Sequence, residues 1–440
     1  MKIIEGQEFD VIVAGAGCAG FCAAVQAGRA GLNVALFEHF AMPGGTMTVL
    51  GSNSIDQFNN PHRPRGDRMV IAGIGWEFVE ELARRGFADI PDMDAPYRVH
   101  WQYGVRVNPI AAAQCMDDFL LAANVRLFYR QGVVAVETSD TPGGTSLDAV
   151  IVTTKAGLVR HRAKIFIDCT GDGDLCAWSG AEFQIADSPQ PGTMRLYPCA
   201  TTSDQQALAE ADRAWRAMLA KRPELSNFLL CGGDITGFLR AGGDNTNHVN
   251  GLNAADSASR GKAEIEARRA QVALMSALRA AEAPVNILGS APESGARESR
   301  RILGDVVMTG EEYLAKTVYP DAICYTYWFI DIHRENGPSE IVYLRDELTP
   351  TISLGAMRPR GLKNVYVAGR CVSSDRANNS AIRVKASCMA MGQAAGAAAA
   401  QAIRQGTTDT RAVDTAAVVR YLKEQGAIVP EPQDRPGAGN

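Results

Sequence analysis

The residues of this 440-residue chain that most clearly indicate chemistry are three glycines and an acid close to its start. Gly15, Gly17 and Gly20 separate an apolar run from a helix-like segment, and Glu38 ends the next apolar run. Such spacing in a strand–helix–strand unit is typical of dinucleotide binding. The first glycine makes a tight turn, the second lets the backbone approach a pyrophosphate, and the third allows close packing of helix on strand. The alternative is a glycine-rich turn without a ligand.

The acid and the residues after it indicate which dinucleotide is bound. A carboxylate at position 38 accepts hydrogen bonds from ribose hydroxyls and repels a 2′-phosphate, which disfavours NADP. The following stretch, AMPGGTMT from Ala41 to Thr48, places a Gly-Gly turn and two hydroxyl residues directly after the strand end. This turn suits a longer cofactor, FAD, that lies extended over the sheet edge. An NAD-dependent dehydrogenase is the first alternative, but it does not explain the turn.

Two later stretches repeat the pattern of an apolar strand that meets a glycine turn. Lys164–Gly180 reads KIFIDCTGDGDLCAWSG, and Asn364–Gly396 begins with NVYVAGRC. The second stretch continues through a polar loop into a helix predicted over Val384–Arg404, which is rich in small residues. Small side chains allow a helix to approach a sheet or a ligand closely, so this helix is predicted to pack in the core.

These motifs occur in order along nearly the whole chain, which resembles an FAD-dependent oxidoreductase of the glutathione-reductase-like, two-domain FAD superfamily. It is most similar to the branch that combines GxGxxG with a Gly-Gly-Thr turn, TGDGDL, RESRR, and AGRC before a helix containing GQAAG. The resemblance implies FAD as the cofactor. It also implies an α/β fold, in which an FAD-binding Rossmann-like domain of the glutathione-reductase type carries an inserted α+β substrate or cap domain. The motifs occupy residues 15–20, 44–46, 170–175, 297–301, 368–371 and 392–396.

The resemblance also implies which positions bind the cofactor. The glycine loop and Glu38 would hold the ADP half, the Gly-Gly-Thr turn would line the pyrophosphate, and the strand of QGVVAVE would present its backbone to adenine. The start of the last helix, near Ala381 to Arg383, would point at the flavin N1–C2=O edge, where a helix dipole stabilises reduced flavin. The full set is Gly15, Gly17, Cys18, Ala19, Gly20, Glu38, His39, Gly44, Gly45, Thr46, Val133, Val134, Thr170, Gly171, Asp172, Gly369, Arg370, Asp375, Ala381 and Ile382.

One member of this set, Arg370, marks a departure from the superfamily pattern. Arg370 stands where many relatives carry an acid, so Asp375 is the candidate for a contact between an acid and the ribityl chain. His39 is included because covalent attachment of the flavin through a histidine or a cysteine stays open. The ten cysteines form no CxxC pair, so most are expected to be buried thiols and disulfide-reductase chemistry is disfavoured.

Two histidines are candidates for catalysis. His333 lies in WFIDIHRENGP, where strand alternation puts it on the same face as Asp331. A histidine oriented by an acid can take the proton of an alcohol or amine. The alternative is a strand end with solvated charges. His248 lies in NTNHVNGLN, a polar loop that could cover the site.

Two arginines complete the catalytic candidates. Arg297 and Arg300 belong to the stretch ARESRRI, in which Arg297 and Arg301 are spaced to share one face of a helix. Paired guanidiniums suit a carboxylate substrate. The alternative is a set of inter-domain ion pairs with Glu293 and Glu298. No cluster with metal-ligand spacing occurs, so no metal is expected.

Composition restricts the class of protein and its partners. Hydrophobic residues make up 46% and charged residues 21% of the chain, and the net charge is −5, as in ordinary globular proteins. No long basic run occurs, so neither nucleic acid nor a membrane is expected as a partner. Met389–Ile403 is too short and too interrupted to span a bilayer. The first ten residues lack the layout of a signal peptide, so a cytoplasmic location is expected.

The order of these segments predicts a discontinuous domain organisation. The FAD-binding domain takes residues 1–182 and 345–428, the substrate or cap domain takes residues 183–344, and residues 429–440 form a disordered tail. Within the cap, helices are predicted over Asp204–Lys221 and Lys262–Glu282, and a strand over Ile323–Ile332. The alanine-rich helices are compatible with a homodimer.

The sequence thus predicts an FAD-dependent dehydrogenase or oxidase. A hydride would pass from a small polar organic substrate to flavin N5, and the electrons would leave to oxygen, a quinone or a partner protein. One alternative is a monooxygenase, which is weakened because no second GxGxxG for a nicotinamide domain occurs. Another is a non-redox isomerase or lyase that uses bound FAD.

Overall fold

The computed structural model describes residues 2–222, 234–243, 248–335 and 339–431. The helices are α1 (Cys18–Arg29), α2 (Ile74–Arg84), α3 (Pro109–Ala122), α4 (Asp174–Trp178), α5 (Gln205–Lys221), α6 (Ile235–Arg240), α7 (Ser257–Ala280), α8 (Gly310–Leu314), α9 (Arg376–Ile382), α10 (Lys385–Arg404) and α11 (Thr415–Glu424). The strands are β1 (Ile4–Ala14), β2 (Val34–Glu38), β3 (Ser54–Ile55), β4 (Ala88–Asp89), β5 (Val105–Val107), β6 (Arg126–Tyr129), β7 (Val133–Thr141), β8 (Gly144–Thr154), β9 (Gly157–Asp168), β10 (Phe183–Gln184), β11 (Gly192–Thr193), β12 (Leu196–Ala200), β13 (His248–Val249), β14 (Val285–Ser290), β15 (Arg301–Ile302), β16 (Ala322–Tyr325), β17 (Ile330–Ile332), β18 (Glu340–Val342), β19 (Thr351–Ser353) and β20 (Val365–Val367).

The first strand–helix–strand unit forms as predicted. Strand β1 pairs in parallel with β2, with Val11 opposite Val34, and α1 connects the two strands. Gly17 is the N-cap of α1. Gly15 has a φ of +91°, a left-handed conformation that glycine adopts without steric cost. The backbone therefore turns tightly between β1 and α1, as the position of Gly15 predicts.

The main sheet has seven strands, in the order β6–β2–β1–β9–β8–β7, with β20 also paired to β9. Strands β6, β2, β1, β9 and β20 run parallel, whereas β7, β8 and β9 form an antiparallel meander. The parallel strands are buried on both faces where they pair, which explains unbroken apolar runs such as VIVA and VALF. The fold is mixed α/β with a Rossmann-like parallel sheet, as predicted.

Helices α1 and α10 pack almost backbone to backbone. A Cβ atom added to Gly392 would lie 2.0 Å from the carbonyl oxygen of Ala19, and one added to Gly396 would lie 2.4 Å from that of Ala23. The predicted small-residue helix is therefore a core helix, and nearly all of its residues are buried. This contact fixes the N-termini of both helices beside the same edge of the sheet.

The elements between residues 183 and 344 build a second hydrophobic cluster. Trp215 of α5 is its largest fully buried side chain, and it lies with Phe238 of α6, Leu274 of α7 and Leu196 of β12. Helix α5 matches the helix predicted over 204–221, and α7 begins earlier than predicted and covers most of the helix expected over 262–282. The domain boundaries after 182 and 344 stay predictions.

Three local predictions are wrong. The segment 297–300 is not helical, and Arg301 lies in β15, which pairs with β10. The strand predicted over 323–332 is broken, because β16 pairs with β19 while β17 pairs with β18. The last long core helix begins at Lys385, so Ala381 and Ile382 lie at the end of the preceding helix α9.

The expectations about a membrane span and about the C-terminal tail can be compared with the described residues. Within the described part of the chain, no helix is long and apolar enough to cross a membrane. The tail predicted over 429–440 falls outside the described residues from position 432 onward, and Val429, at its start, is buried.

The contact between α1 and α10 generates a prediction about stability. We expect Gly396→Ala to lower the melting temperature by several degrees, because the added methyl group meets a backbone carbonyl and overpacking costs about 1–3 kcal/mol. Gly261→Ala is the matched control, since Gly261 lies in α7 with nothing within 4 Å of its added Cβ. Thermal unfolding followed by circular dichroism should show that this control is neutral or slightly stabilising. Equal melting temperatures for the wild type and Gly396→Ala would contradict the close packing.

Candidate active site

A cavity of about 620 Å³ lies at the carboxyl ends of the parallel strands. It is lined by the residues at the ends of β1 and β2 and by those just after β9 and β20. Open α/β sheets bind ligands at this edge, and the volume falls within the range of about 300–1,000 Å³ that is typical of ligand sites. The cavity thus has the place and the size for a large cofactor.

The three glycines of the first motif divide into two kinds. A Cβ on Gly15 would lie 2.4 Å from the carbonyl oxygen of Cys169, and one on Gly20 would lie 1.8 Å from that of Gly15. These two glycines are required by the packing of the protein itself. Gly17 has no atom within 4 Å of its added Cβ, although it lies at the N-terminus of α1 and lines the cavity. The open space beside Gly17 leaves room for an anionic group at the helix N-terminus.

Glu38 is a buried carboxylate held by three donors. Its oxygens accept hydrogen bonds from the backbone N–H groups of Ala16 at 2.7 Å and Phe40 at 2.9 Å, and His39 Nδ1 lies 2.8 Å away. Burial would raise the pKa of Glu38, but these hydrogen bonds outweigh it and hold the pKa below its usual range. The hydrogen bond between His39 and Glu38 raises the pKa of His39. A carboxylate offers about four acceptor positions, so room is left for a hydroxyl group of a ligand.

The Gly-Gly-Thr turn packs on the glycine loop. Gly44 N donates to the carbonyl oxygen of Ala16 at 2.7 Å. Gly45 has a φ of +52°, and its added Cβ would lie 3.3 Å from the Cα of Gly17. Gly45 and Thr46 line the cavity. The turn therefore forms one wall of the same space that Gly17 opens.

A second wall is built around Asp172 and Arg370. Asp172 Oδ1 accepts hydrogen bonds from Ser299 Oγ at 2.6 Å and from Arg370 at 2.8 Å. Burial alone would raise the pKa of Asp172, but the charge of Arg370 and these hydrogen bonds lower it. Thr170, Gly171 and Gly369 also line the cavity there. The guanidinium that replaces the expected acid thus forms a buried ion pair with a second predicted site residue.

Some predicted residues lie outside the cavity lining of the described chain. Gly20 and Gly44 support the loops, and Val134 is 45% exposed on β7. Asp375 caps α9 by accepting from Asn378 N at 2.7 Å and also accepts from Gly310 N at 2.8 Å. Its carboxylate therefore has a structural task. The residues outside the lining are Gly20, Gly44, Val134, Asp375, Ala381, Ile382, Arg300 and His248, while the other predicted positions line it.

His333 meets Asp331 at the cap side of the cavity, and both side chains line it. His333 Nε2 lies 3.0 Å from Asp331 Oδ2, and Nδ1 lies 3.2 Å from Ser339 Oγ. A carboxylate only accepts, so Nε2 carries the proton and Nδ1 is the basic nitrogen. Burial lowers the pKa of His333 despite its hydrogen bond to Asp331, which favours the neutral imidazole. The ring of His248 lies at right angles to that of His333, with centroids 5.2 Å apart.

The two predicted catalytic arginines have different surroundings. Arg297 lines the cavity and donates to the carbonyl oxygen of Pro191. Arg300 pairs with Asp174 at 2.7 Å and donates to the backbone oxygens of Asp172 and Ala255. Arg300 is therefore held by an ion pair, but its partner is Asp174 and not Glu293 or Glu298, while Arg297 lines the cavity.

The sequence reasoning did not select several residues that line the cavity. Arg383 and Lys385 flank the start of α10, and Lys385 Nζ donates to Ser52 Oγ at 3.0 Å. Trp328 and Arg195 also line the cavity and come from the segment between residues 183 and 344. The signal for Arg383 and Lys385 was present in the sequence, because two cations in the otherwise apolar run AIRVKAS have no packing reason.

Three cysteines line the cavity, and their thiols are protonated. Cys18, Cys169 and Cys388 line it. Burial raises the pKa of Cys18 to about 11 and that of Cys388 to about 12, so both are protonated near neutral pH. The described cysteines are all free, and these protonated thiols are poor nucleophiles.

The fold and the site define a dinucleotide-binding α/β protein whose cavity extends well beyond the nucleotide loop. The chain belongs to the FAD dependent oxidoreductase family, whose model matches residues 10–422. The protein is therefore an FAD-dependent enzyme, with FAD as its cofactor. The space at Gly17 and the carboxylate of Glu38 fit the pyrophosphate and a ribose of that cofactor.

Solved structures of flavoenzymes resemble the chain only distantly. Adenylylsulfate reductase from Archaeoglobus fulgidus is 12% identical, with 97% of this chain and 74% of that chain covered and a TM-score of 0.44. A geranylgeranyl bacteriochlorophyll reductase-like protein from Thermoplasma acidophilum is 10% identical, with 95% and 83% covered and a TM-score of 0.43. THI4 from Thermovibrio ammonificans is 17% identical, with 40% and 65% covered and a TM-score of 0.28. No curated protein matches the chain significantly.

The distinction between the glycines predicts the effect of one substitution. We expect Gly17→Val to abolish FAD binding and leave the fold intact, because the valine would occupy the space beside the helix N-terminus without meeting protein atoms. The flavin-to-protein absorbance ratio and the far-ultraviolet circular dichroism spectrum measure the two effects. Gly261→Val, in open space on α7, is the control and should keep its FAD. A fully loaded Gly17→Val protein would refute this placement of the pyrophosphate.

Proposed function

We propose that this protein is a dehydrogenase or oxidase of the glutathione-reductase-like branch, in which residues 183–344 form a substrate or cap domain inserted into the FAD-binding domain. A small polar organic substrate would give a hydride to FAD, and oxygen, a quinone or a partner protein would take the electrons onward. The proposal rests on one observation: a single cavity extends from the glycine loop and Glu38 to Trp328, Asp331 and His333.

In this proposal the two ends of the cavity have separate tasks. Gly17 and the N-terminus of α1 would hold the pyrophosphate, and Glu38 would bind a ribose hydroxyl. The start of α10, rather than that of α9, would face the flavin, since Val384, Lys385 and Cys388 line the cavity. Bound FAD supplies a two-electron acceptor at N5. The adjacent cap residues would bind the substrate and exclude water.

His333 would act as the general base. Asp331 fixes the Nε2–H tautomer, so Nδ1 accepts the proton, and the hydroxyl of Ser339 marks the direction in which its lone pair points. For an alcohol, the hydroxyl proton would go to His333 while the carbon gives up its hydride, which leaves a carbonyl product. Burial keeps His333 neutral near physiological pH, the state that a base requires.

Two other functions are less well supported. A monooxygenase needs a reductant for its flavin, and the chain offers no second nucleotide motif of the GxGxxG type. A non-redox isomerase or lyase would use the base but not the electron acceptor. A homodimer and an external electron acceptor are further parts of the proposal.

The proposed function is tested by the spectrum of the purified holoenzyme. The released chromophore should be FAD, and anaerobic addition of alcohols, amines and hydroxy acids should bleach the flavin absorbance with at least one of them. Bleaching without any added nicotinamide supports a dehydrogenase or oxidase. Reduction only by a nicotinamide cofactor would favour the monooxygenase, and product formation without bleaching would favour the non-redox enzyme.

The placement of His333 predicts slower flavin reduction in His333→Ala. A general base contributes about 10²–10⁴-fold, so we expect the anaerobic reduction rate to fall by a factor in this range while the FAD content is unchanged. Stopped-flow absorbance measures the rate. His62→Ala, which replaces a histidine outside the cavity lining, is the control. Unchanged reduction kinetics in His333→Ala would remove His333 from the mechanism.

The pKa of His333 predicts the pH dependence of the same step. Burial lowers this pKa, and the base must be deprotonated. We therefore expect kcat/KM to be constant near neutral pH and to fall with decreasing pH only below the ordinary histidine value of about 6.5. This acidic limb should be absent from the residual activity of His333→Ala. An identical limb in both proteins would show that another group titrates.

A further inference from the structure

Arg383 is a partly buried cation whose hydrogen bonds are incomplete. It lines the cavity just before α10 begins, and it donates to Gln190 Oε1 at 3.5 Å and to the carbonyl oxygen of Asp331 at 3.3 Å. Both distances are long, and among the described residues its Nε has no hydrogen-bond partner. A guanidinium has five N–H donors. Burial lowers the pKa of Arg383, although the charges of Asp331 and Glu298 oppose the shift.

A second arginine lies on the same side of His333. Arg297 donates to the carbonyl oxygen of Pro191, the residue after the Gln190 that accepts from Arg383. Both guanidiniums act electrostatically on Asp331 and His333. The segment Gln190–Pro191 therefore holds two cations beside the proposed base, and both reach the cavity.

The local anion is already committed. The carboxylate of Asp331 accepts a hydrogen bond from His333 Nε2 at 3.0 Å. The same carboxylate lies close to the guanidiniums of Arg297 and Arg383. The other acid of the cap wall, Glu293, pairs with Arg260 at 2.6 Å. Two guanidiniums, those of Arg297 and Arg383, thus line the cavity beside His333.

We propose that the substrate carries a carboxylate, which Arg383 and Arg297 bind beside His333. The inference rests on the proposed function for the position of the substrate, and it narrows the substrate class to small hydroxy or amino carboxylic acids. Arg383 replaces Arg300 as the partner of Arg297, because Arg300 is bonded to Asp174. The competing anion is the flavin, whose reduced ring is negative. The experiment must distinguish these two.

Isothermal titration calorimetry of the holoenzyme with malonate and with uncharged malonamide tests the proposal. We expect the wild type to bind malonate more tightly than malonamide. Arg383→Gln should lower the affinity for malonate by about 10- to 100-fold, the effect of losing charge-assisted hydrogen bonds. The affinity for malonamide and the FAD content should change little. Arg383→Lys should lose less affinity for malonate, since the positive charge remains. Arg420→Gln, on the exposed face of α11, is the matched control and should bind as the wild type does.

Other outcomes would overturn the proposal. Equal affinities of the wild type for malonate and malonamide would exclude a carboxylate site. A changed flavin reduction potential in Arg383→Gln with unchanged malonate affinity would assign Arg383 to the flavin. If Arg383→Gln does not fold, Arg297→Gln carries the same comparison.

The inference and the proposed function can fail separately. Tight malonate binding without bleaching by any substrate would keep the carboxylate site and reject the redox function. Bleaching by uncharged alcohols, with no preference for malonate, would do the reverse.

Discussion

The close contact between α1 and α10 is the constraint on which the site depends. Glycines at 392 and 396 bring α10 against the backbone of α1, within distances that exclude any side chain. As a result, the N-terminus of α1, with its open space at Gly17, and the N-terminus of α10, with Lys385, face one cavity. Gln393 reinforces the contact, because its Nε2 donates to Gln26 Oε1 at 3.0 Å inside the core. A buried polar pair of this kind fixes the register of the two helices more firmly than apolar packing alone.

The cavity walls consist of charged groups that are largely satisfied within the protein. Glu38 is held by its own loop, and Asp172 by Arg370 and Ser299. Such preformed pairs are expected where a cofactor with two phosphates must bind, since the walls do not rearrange when the ligand enters. Asp174 shows the cost of this arrangement, because burial and the nearby Asp168 and Asp172 raise its pKa to about 6 even though Arg300 is bonded to it.

Local motifs predicted most of the residues that line the glycine-loop end of the cavity, because a turn and the strand ends beside it are defined by a few neighbouring residues. Gly15, Gly17 and Glu38 needed only the strand–helix–strand pattern. The cap end was predicted less well, since its residues come from distant segments. Strand alternation did place Asp331 with His333, but a helical spacing was wrongly assigned to Arg297 and Arg301. Helical and extended periods cannot be told apart in so short a polar stretch. The sequence analysis named Arg383 only as the end of the segment Ala381–Arg383, and its incomplete hydrogen bonding is visible only in the tertiary fold.

The arginines of the segment 297–300 differ in their surroundings because this segment is not a helix. Each of its side chains contacts a different neighbour. Glu298 accepts from Gln190 and pairs with Arg376 at 2.9 Å, Ser299 binds Asp172, and Arg300 binds Asp174. These three residues join the cap elements to the main sheet and to α9, whereas Arg297 faces the cavity. Glu298, Ser299 and Arg300 are thus engaged in these contacts, and Arg297 is the residue of the segment 297–300 that lines the cavity.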